Sequence, residues 1–358
     1  MYWRSSKQGN YWRAVMIFSS HMRGHSGLIF TLSAALLLMV LSSTVDAVTL
    51  KIATLAPDGT SWMKQMRKGA KEISERTDGR VKIKIYPGGV MGNTNTVLQK
   101  MRIGQLQGAA FTGSSLSQVY PDAQLYSLPM VFRSYEEVEY VRQRMDDTLI
   151  RGLADKGMVV LGISDGGFAY VMCKQPLRRL EDLKGQKVWM PEGDILTEAI
   201  LESAGVTPIP LPVADVYTGL QTGLLETVAG VPTGLVAFQW YTSLTHFTDI
   251  PLMFLTGMFA VDSKAFKRIK PDDQKIVREV MGGIFKELDA VNRADNESAK
   301  AALQSQGIEF VHPNVAERDS WESIAKQGRE KMISRAKYTP ARVEEMLGYI
   351  QEYRTQQQ

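Results

Sequence analysis

Alternating and helical hydrophobic patterns follow one another along the chain after residue 47. Residues 48–53 (VTLKIA) and 81–86 (VKIKIY) alternate apolar and polar side chains, as half-buried strands do. Between them an apolar stripe at three- and four-residue spacing predicts a helix from Ser61 to about Thr77. Strand and helix patterns continue to alternate through the chain, which indicates an α/β protein with parallel sheets.

The segment from residue 180 to residue 194 combines a strand end, a tight turn and a helix start. It reads as a helical turn closed by Gly185, a strand over residues 187–190, and a Pro-Glu-Gly-Asp turn that begins a helix over residues 195–204. Ligands of α/β folds bind outside the carboxyl ends of strands. The side chain at this strand end, Trp189, is therefore predicted to face a crevice.

Two features predict a two-lobed molecule. The strand over residues 158–163 ends in Ser164-Asp165-Gly166-Gly167, where paired glycines permit a change of direction into a second lobe. A helical pattern from Pro271 to about Ser305 would be about 50 Å long as one helix, enough to brace both lobes. The alternative is two helices that break near Gly282-Gly283.

The expected domain organisation follows from the hinge and the long helix. Lobe I is predicted to comprise residues 48–166 plus about 256–296. Lobe II is predicted to comprise residues 167–255 plus about 297–350, and residues 351–358 form a flexible tail.

The first 47 residues have the pattern of a secretory signal peptide. Four basic residues precede an uncharged run of apolar residues at 28–41, and the small-residue triplet at 45–47 resembles a cleavage site. The apolar run is shorter than the roughly 20 residues that span a membrane, so an uncleaved anchor is the weaker alternative. We predict cleavage near Ala47, export to the periplasm and no membrane insertion of the mature chain. Translation could start at Met1, Met16 or Met22.

Charge and cysteine content narrow the function further. Removal of residues 1–47 takes away four basic residues and one acidic residue, so 42 basic and 38 acidic residues become 38 and 37. This balance gives no reason to expect a nucleic-acid partner. Cys173 is the only cysteine in the sequence, so no disulfide within the chain can form, and its apolar surroundings predict a buried thiol.

Catalytic and metal-binding motifs are absent from the sequence. It has no P-loop, no dinucleotide-binding glycine motif after a strand, no H-E-x-x-H and no G-x-S-x-G. His246 and His312 stand alone, without metal-ligand spacing. Glu192 and Asp194 could form an acid/base pair, but their place at a helix start favours capping. We therefore expect a protein that is not an enzyme and has no cofactor or metal.

Several short motifs in a fixed order resemble the DctP-type substrate-binding subunit of tripartite ATP-independent periplasmic (TRAP) transporters. The likeness covers essentially all of residues 48–350. It is carried by Thr77-Asp78-Gly79-Arg80, Tyr86-Pro87 before Met91-Gly92, Glu181-Asp182-Leu183-Lys184-Gly185, Pro208-Ile209-Pro210-Leu211-Pro212, Asp215-Val216-Tyr217 and Leu220-Gln221-Thr222-Gly223. The resemblance implies two α/β lobes, a cleft that closes on a ligand, a long helix that bridges the lobes, and delivery to a membrane permease.

The sequence departs from the family pattern at the centre of the site. In that pattern the strand after the Asp-Leu-Lys-Gly turn ends in an arginine that pairs bidentately with a carboxylate; here the residue is Trp189. A second basic position corresponds to Ala169, and a polar position at the next cleft strand falls near Gly230. A ligand less polar than a dicarboxylate is predicted, with an aromatic or acyl part or a cationic group that stacks on the indole.

The residues expected to bind the ligand come from both lobes. They are Trp62, Thr112, Gly113, Phe168, Ala169, Trp189, Glu192, Pro232 and Trp240. The expected partners are a small organic solute and a TRAP-type permease. A periplasmic sensor that presents the bound solute to a signalling receptor is the alternative function, and an exported enzyme on the same fold is a third.

Overall fold

The computed structural model describes residues 47–335 and 338–358. Residues 1–46 of the predicted signal peptide, with the three candidate start methionines, lie outside these residues. Within the described ranges no helix is both long enough and apolar enough to cross a membrane.

Strands and helices alternate through the first half of the described chain, as the sequence predicts. The strands are β1 (Val48–Ala53), β2 (Val81–Tyr86), β3 (Gly108–Thr112), β4 (Met158–Cys173), β5 (Trp189–Pro191), β6 (Ile209–Leu211), β7 (Thr227–Gly230), β8 (His246–Asp262) and β9 (Glu309–Val311). The α-helices are α1 (Ser61–Arg76), α2 (Thr94–Arg102), α3 (Gly113–Leu116), α4 (Tyr135–Asp155), α5 (Ile195–Ser203), α6 (Val216–Gln221), α7 (Pro232–Ala237), α8 (Ser263–Lys267), α9 (Pro271–Ser305), α10 (Val315–Arg335) and α11 (Pro340–Gln356). Short 3₁₀ helices cover Pro121–Ser127, Leu180–Leu183, Val213–Asp215 and Trp240–Ser243.

Two long antiparallel strands, β4 and β8, run through the centre of the sheet. The strand order is β2-β1-β3-β8-β4-β7, with β9 beside β8, and β5 and β6 form a separate parallel pair. β3 pairs with one end of β8, whereas β7 pairs with the far end of β4. The sheet is therefore mixed, not purely parallel as predicted. The same two strands serve both predicted lobes.

The predicted hinge lies inside β4 and does not separate two strands. The register between β4 and β8 shifts between Asp165 and Gly167, and Gly167 has a φ of 111°. A bulge of this kind bends a strand while the hydrogen-bonded ladder continues on either side. The prediction that the strand ends at residue 163 was wrong, because the pairing with β8 that continues beyond the bulge is a long-range contact.

Helix α9 is continuous from Pro271 to Ser305, so the brace prediction is confirmed and the break near Gly282-Gly283 is not found. A Cβ on either glycine would meet nothing within 4 Å, so the pair lies on an open face of the helix. The opposite face buries an apolar stripe that includes Val277, Met281 and Leu288. α9 packs against α1, β4 and α7.

Buried ion pairs tie α9 and α4 to the bulge of β4. Asp165 is fully buried and forms ion pairs with Arg142 of α4 and, at 2.7 Å, with Nε of Arg293 of α9. Its backbone N–H donates to Oδ1 of Asp289 at 2.7 Å, and Asp289 also pairs with Arg142 at 2.9 Å. We call Arg142, Asp165, Asp289 and Arg293 the hinge cluster. It fixes the bulge against two helices at once.

Asn296 of α9 fixes the adjoining turn. Its Nδ2 donates to the carbonyl oxygen of Gly166 at 2.9 Å, and its Oδ1 accepts from the backbone N–H of Thr233 at 3.1 Å. A Cβ on Gly167 would overlap the Asn296 side-chain amide. Glycine is therefore required at this position both by φ and by the close approach of α9.

The carboxyl-terminal residues differ from the predicted flexible tail. Helix α11 continues to Gln356, Ile350 is buried, and Nε of Arg354 pairs with Oε1 of Glu137 on α4 at 2.7 Å. The polar composition of residues 351–358 conceals this pairing. One hydrophobic core also contains residues of α4, α10 and α11, so it joins parts of both predicted lobes.

Candidate functional site

A cavity of about 670 Å³ lies where several strands end. Its walls include residues 55–57 after β1, residues 191–194 at and after β5, and residues 230–231 at and after β7. Residues of α9 and of the middle of β8 also line it. The volume falls within the range of small-molecule sites, and the position at strand carboxyl ends is the one expected for an α/β fold.

The structure brings together six of the nine predicted site residues. The residues that line the cavity are Trp62, Thr112, Ala169, Trp189, Glu192 and Trp240. Phe168, Gly113 and Pro232 are not among the lining residues.

The three exceptions have local structural causes. Phe168 precedes Ala169 on β4, and successive strand side chains point to opposite faces, so Phe168 packs against Tyr135 and Phe254 with centroids 5.2 Å away in each case. Gly113 is buried, and a Cβ on it would lie 2.5 Å from the carbonyl oxygen of Ala123. Pro232 is the buried first residue of α7, where its missing N–H is harmless.

Trp189 belongs to an aromatic wall. Its ring meets that of Trp240 edge to face, with centroids 5.1 Å apart and planes at 70°, and Phe238 stacks on Trp240 with centroids at 5.4 Å. Nε1 of Trp189 donates to the carbonyl oxygen of Leu211 at 3.0 Å. The indole is thereby held in place, and its N–H is already used within the protein. Trp189 is 6% exposed, so it offers a ligand a small part of its ring and no hydrogen bond.

The side chain of Asp194 caps helix α5, as predicted. Oδ1 accepts from the backbone N–H groups of Leu196 at 3.0 Å and Thr197 at 3.3 Å, and Oδ2 accepts from the Thr197 hydroxyl at 3.2 Å. Burial raises the pKa of the Asp194 carboxyl above its usual value. The hydrogen bonds to the helix N-terminus oppose this rise.

Glu192 links the two sides of the cleft. Nδ2 of Asn93, which begins α2, donates to Oε2 of Glu192 at 3.0 Å. Asn93 is anchored by its own Oδ1, which accepts from the backbone N–H of Thr96 at 3.0 Å as the N-cap of α2. The contact is exposed and joins two segments, 99 residues apart, that both line the cavity.

Hydroxyl groups of Thr94, Thr112 and Ser115 contribute to the polar part of the cavity wall. Oγ1 of Thr112 accepts from the backbone N–H of Ser115 at 3.1 Å and lies 2.9 Å from the Ser115 hydroxyl. The Thr94 hydroxyl donates to that of Ser115 at 3.2 Å. Thr112 therefore shapes the loop as the N-cap of α3 as well as lining the cavity.

Several lining residues were not predicted. They are Asn93, Ser114, Ser115, Asp215, Phe238, Asn292 and Asp295, among others. The polar run Asn93-Thr94-Asn95-Thr96 at a helix start was a signal for the first of them. Asn292 and Asp295 gave no local signal, because the polar face of a long helix does not reveal which turn crosses a cleft.

The ionisable side chains that line the cavity are all acidic. Across the described ranges 47–335 and 338–358, its walls contain Glu192, Asp194, Asp215 and Asp295 but no lysine, arginine or histidine. Trp189, Ala169 and Gly230, the positions that correspond to basic or polar residues in the family pattern, all line the cavity. No other lining residue supplies the missing cation.

Cys173 and the two histidines after residue 47 do not line the cavity. Cys173 is fully buried, and burial raises the pKa of its thiol to about 12. His246 lies 3.4 Å from Glu309 and His312 lies 3.4 Å from Asp249. In the part of the chain that the structure describes, no group of three or more His, Cys, Asp or Glu side chains could hold a metal ion.

A cavity at strand ends, between α/β halves that share two long strands and a bracing helix, defines a two-lobed binding protein. Residues 52–335 match the family described as bacterial extracellular solute-binding protein, family 7 (DctP). The chain belongs to this family. The family resemblance and the fold class expected from the sequence are confirmed.

Relatives of known sequence and structure agree with this assignment. A C4-dicarboxylate-binding periplasmic protein DctP of Rhodobacter capsulatus is 24% identical over 271 residues, which cover 74% of this chain and 80% of the relative. A TRAP periplasmic solute-binding protein from Ralstonia eutropha, solved with bound (S)-2-acetolactate, has a TM-score of 0.79 at 22% identity and covers 85% of this chain and 99% of that chain. Another from Shewanella oneidensis, with bound succinate, has a TM-score of 0.79 at 20% identity, with coverage of 85% and 99%.

Proposed function

We propose that this protein captures a small organic solute in the cavity between its lobes and delivers it to a TRAP-type membrane permease. Family membership supports the transport role. The Asn93–Glu192 hydrogen bond is the observation that carries the capture mechanism, because it joins two segments that both line the cavity. Nothing in the fold or in these relatives favours the sensor alternative.

The proposed lobes follow the predicted boundaries and pivot at the β4 bulge. Lobe I is residues 48–166 plus about 256–296, and lobe II is residues 167–255 plus about 297–350. The bulge at Asp165 to Gly167 interrupts the regular pairing of β4 with β8, and α9 holds it through the hinge cluster. Opening would separate Asn93 from Glu192 while β4 and β8 stay paired.

The solute is proposed to be less polar than the C4-dicarboxylates and the hydroxy-oxo acid that the names of the relatives mention. A carboxylate placed in this cavity would meet an indole, a methyl group and a glycine where the family pattern has basic or polar residues. A charge left without a partner in a partly desolvated site is strongly disfavoured. The aromatic wall of Trp189, Trp240 and Phe238 instead offers apolar surface.

Tryptophan fluorescence provides a direct test of capture. Three of the four tryptophans after residue 47, namely Trp62, Trp189 and Trp240, line the cavity, and Trp321 is buried in the core. Titration of the purified mature chain with its solute should change the emission, and Trp189→Phe should reduce both affinity and signal. Trp321→Phe is the matched control and should leave affinity unchanged. Tight binding of succinate that survives Trp189→Ala would contradict the proposed site.

Delivery requires a separate measurement. In cells that carry the cognate permease, uptake of the solute should depend on this protein and should fall when the gene is deleted. Uptake that is unaffected by the deletion would contradict the transport role even if solute binding is observed.

A further inference from the structure

The charge of the cavity defines the class of solute more narrowly than the family does. Four carboxylates line the cavity, from the turn after β5, from the 3₁₀ turn before α6 and from α9. Because they come from three separate elements, no single acidic loop accounts for them. The cavity is the solute site proposed above, so the carboxylates bear only on the sign of charge that it favours.

Since Asp215 is exposed, Asp295 is the more buried of the two lining carboxylates without a partner among the described residues. It lies on α9, is half-buried, and has no hydrogen-bond donor or ion-pair partner among the residues that the structure describes. Arg293, two residues earlier, has its guanidinium committed to Asp165 at 2.7 Å and Glu139 at 3.3 Å. The nearest arginine in sequence therefore does not neutralise Asp295.

Helix N-termini at the cavity favour anions, but a side-chain cap in each of three helices already accepts from at least one N–H of the first turn. Oγ1 of Thr60 accepts from the first turn of α1, Oδ1 of Asn93 from that of α2, and Oδ1 of Asp194 from that of α5. The α5 terminus also carries the negative charge of Asp194 itself. These three N-termini are therefore partly satisfied within the protein, and only that of α5 is capped by a carboxylate.

The aromatic wall is an independent observation that points the same way. Trp189 and Trp240 both line the cavity and meet edge to face at 70°, and each presents a small part of its ring there, since the residues are 6% and 4% exposed. Indole faces attract cations through the ring quadrupole, and tryptophan is the strongest of the aromatic side chains in this respect. An apolar solute alone would use these faces, but it would leave the carboxylates without compensation.

We propose that the solute is a small organic cation without a carboxylate, a protonated amine or quaternary ammonium on an apolar body. This inference rests on the proposed capture of a solute in the same cavity. The apolar body packs on Trp189 and Trp240, and the cationic group lies on the Asp295 side. A dicarboxylate would instead add negative charge to a cavity that has no basic side chain.

A matched ligand series separates charge from shape. The probes are 3-phenylpropylamine, its trimethylammonium analogue, 3-phenylpropan-1-ol and 3-phenylpropionate, titrated calorimetrically into the mature chain after removal of any retained solute. The two cations should bind most tightly, and the alcohol should bind at least about tenfold more weakly. The carboxylate should show no saturable binding. Equal affinities, a preference for the carboxylate, or no saturable binding of either cation would overturn the inference.

Two isosteric variants test the assigned counter-ion. Asp295→Asn should weaken binding of both cations by about tenfold and leave the affinity of the alcohol unchanged. Asp147→Asn makes the same charge change on an exposed part of α4 outside the cavity. It should change neither the affinity for the cations nor that for the alcohol. A loss of cation affinity that is equal in both variants would show a general charge effect and contradict the role of Asp295.

Native mass spectrometry of the protein as first purified distinguishes failure of this inference from failure of the proposed function. A retained amine or ammonium compound supports both. A retained neutral or acidic solute supports capture in the cavity and overturns the inference that the solute is a cation. A protein that retains nothing and binds none of the four probes contradicts both.

Discussion

Asp165→Asn removes a fully buried negative charge that contacts two arginines within the bulge of β4. Asparagine has nearly the same shape, so packing is preserved and the charge is the main change. Its amide can accept from one arginine through Oδ1, but it turns an N–H₂ donor toward the other. The asparagine N–H₂ group and an arginine N–H group, both donors, then face each other in a buried site that water does not screen.

The expected loss of stability follows from the pairs that remain. Breaking a buried ion pair by removing one partner costs about 3–5 kcal/mol. Here Arg142 keeps Asp146 at 3.1 Å and Asp289 at 2.9 Å, and Arg293 keeps Glu139 at 3.3 Å. Because these partners remain, we expect Asp165→Asn to lower the free energy of unfolding by about 3 kcal/mol, the lower end of that range. The melting temperature should fall by roughly 6 °C, since about 2 °C per kcal/mol applies to a chain of this size.

Urea unfolding followed by circular dichroism measures the free energy, and the same arginine supplies a control. Glu139→Gln removes the other partner of Arg293, but the Glu139 side chain is 53% exposed, so this change should cost less than about 1 kcal/mol. If Asp165→Asn costs no more than Glu139→Gln, the hinge cluster does not stabilise the fold in the way described.

Three further outcomes are expected. Gly167→Ala should lower the free energy of unfolding by about 1–3 kcal/mol, because its φ is 111° and α9 leaves no room for a Cβ, whereas Gly282→Ala, on the open face of α9, should raise it by about 0.5–1 kcal/mol; the same sign for both in urea unfolding would contradict this. Cys173 should resist Ellman's reagent at pH 8 in the native protein and react fully in denaturant, since burial raises its thiol pKa to about 12; fast native reaction would show that the thiol is accessible. Glu192→Ala should speed solute release in stopped-flow fluorescence by removing the bond to Asn93, with less than about 1 kcal/mol change in stability; an unchanged release rate would mean that this contact does not hold the cleft closed.

The family, the element order and the cavity location could all be predicted from local sequence signals. The alternation of β1 and β2 and the apolar stripe of α1 are properties of single segments, so they predict elements that the structure contains. The turn that ends at Gly185 and the Asp194 cap also depend only on neighbouring residues. A strand exit followed by such a cap identified Trp189 as a residue of the site.

Long-range pairing decided what the sequence could not. The continuity of β4 depends on its pairing with β8, which lies far along the chain. The helical structure of residues 351–356 is supported by the ion pair between Arg354 and Glu137. Phe168 and Ala169 were both predicted to line the cavity, but a strand can turn only one of two neighbours toward it. Which of the two faces the cavity is set by the sheet and not by either residue.

The sequence by itself determined the residue types available for binding: an indole where the family pattern has arginine, and alanine and glycine at two further positions. Only the tertiary structure showed that no lysine or arginine from elsewhere in the described chain replaces them, and that Asp295 of α9 reaches the same cavity. The physical reason is that the charge of a cleft is a sum over residues brought together by folding. A local motif reports one of these residues, whereas the fold gathers all of them.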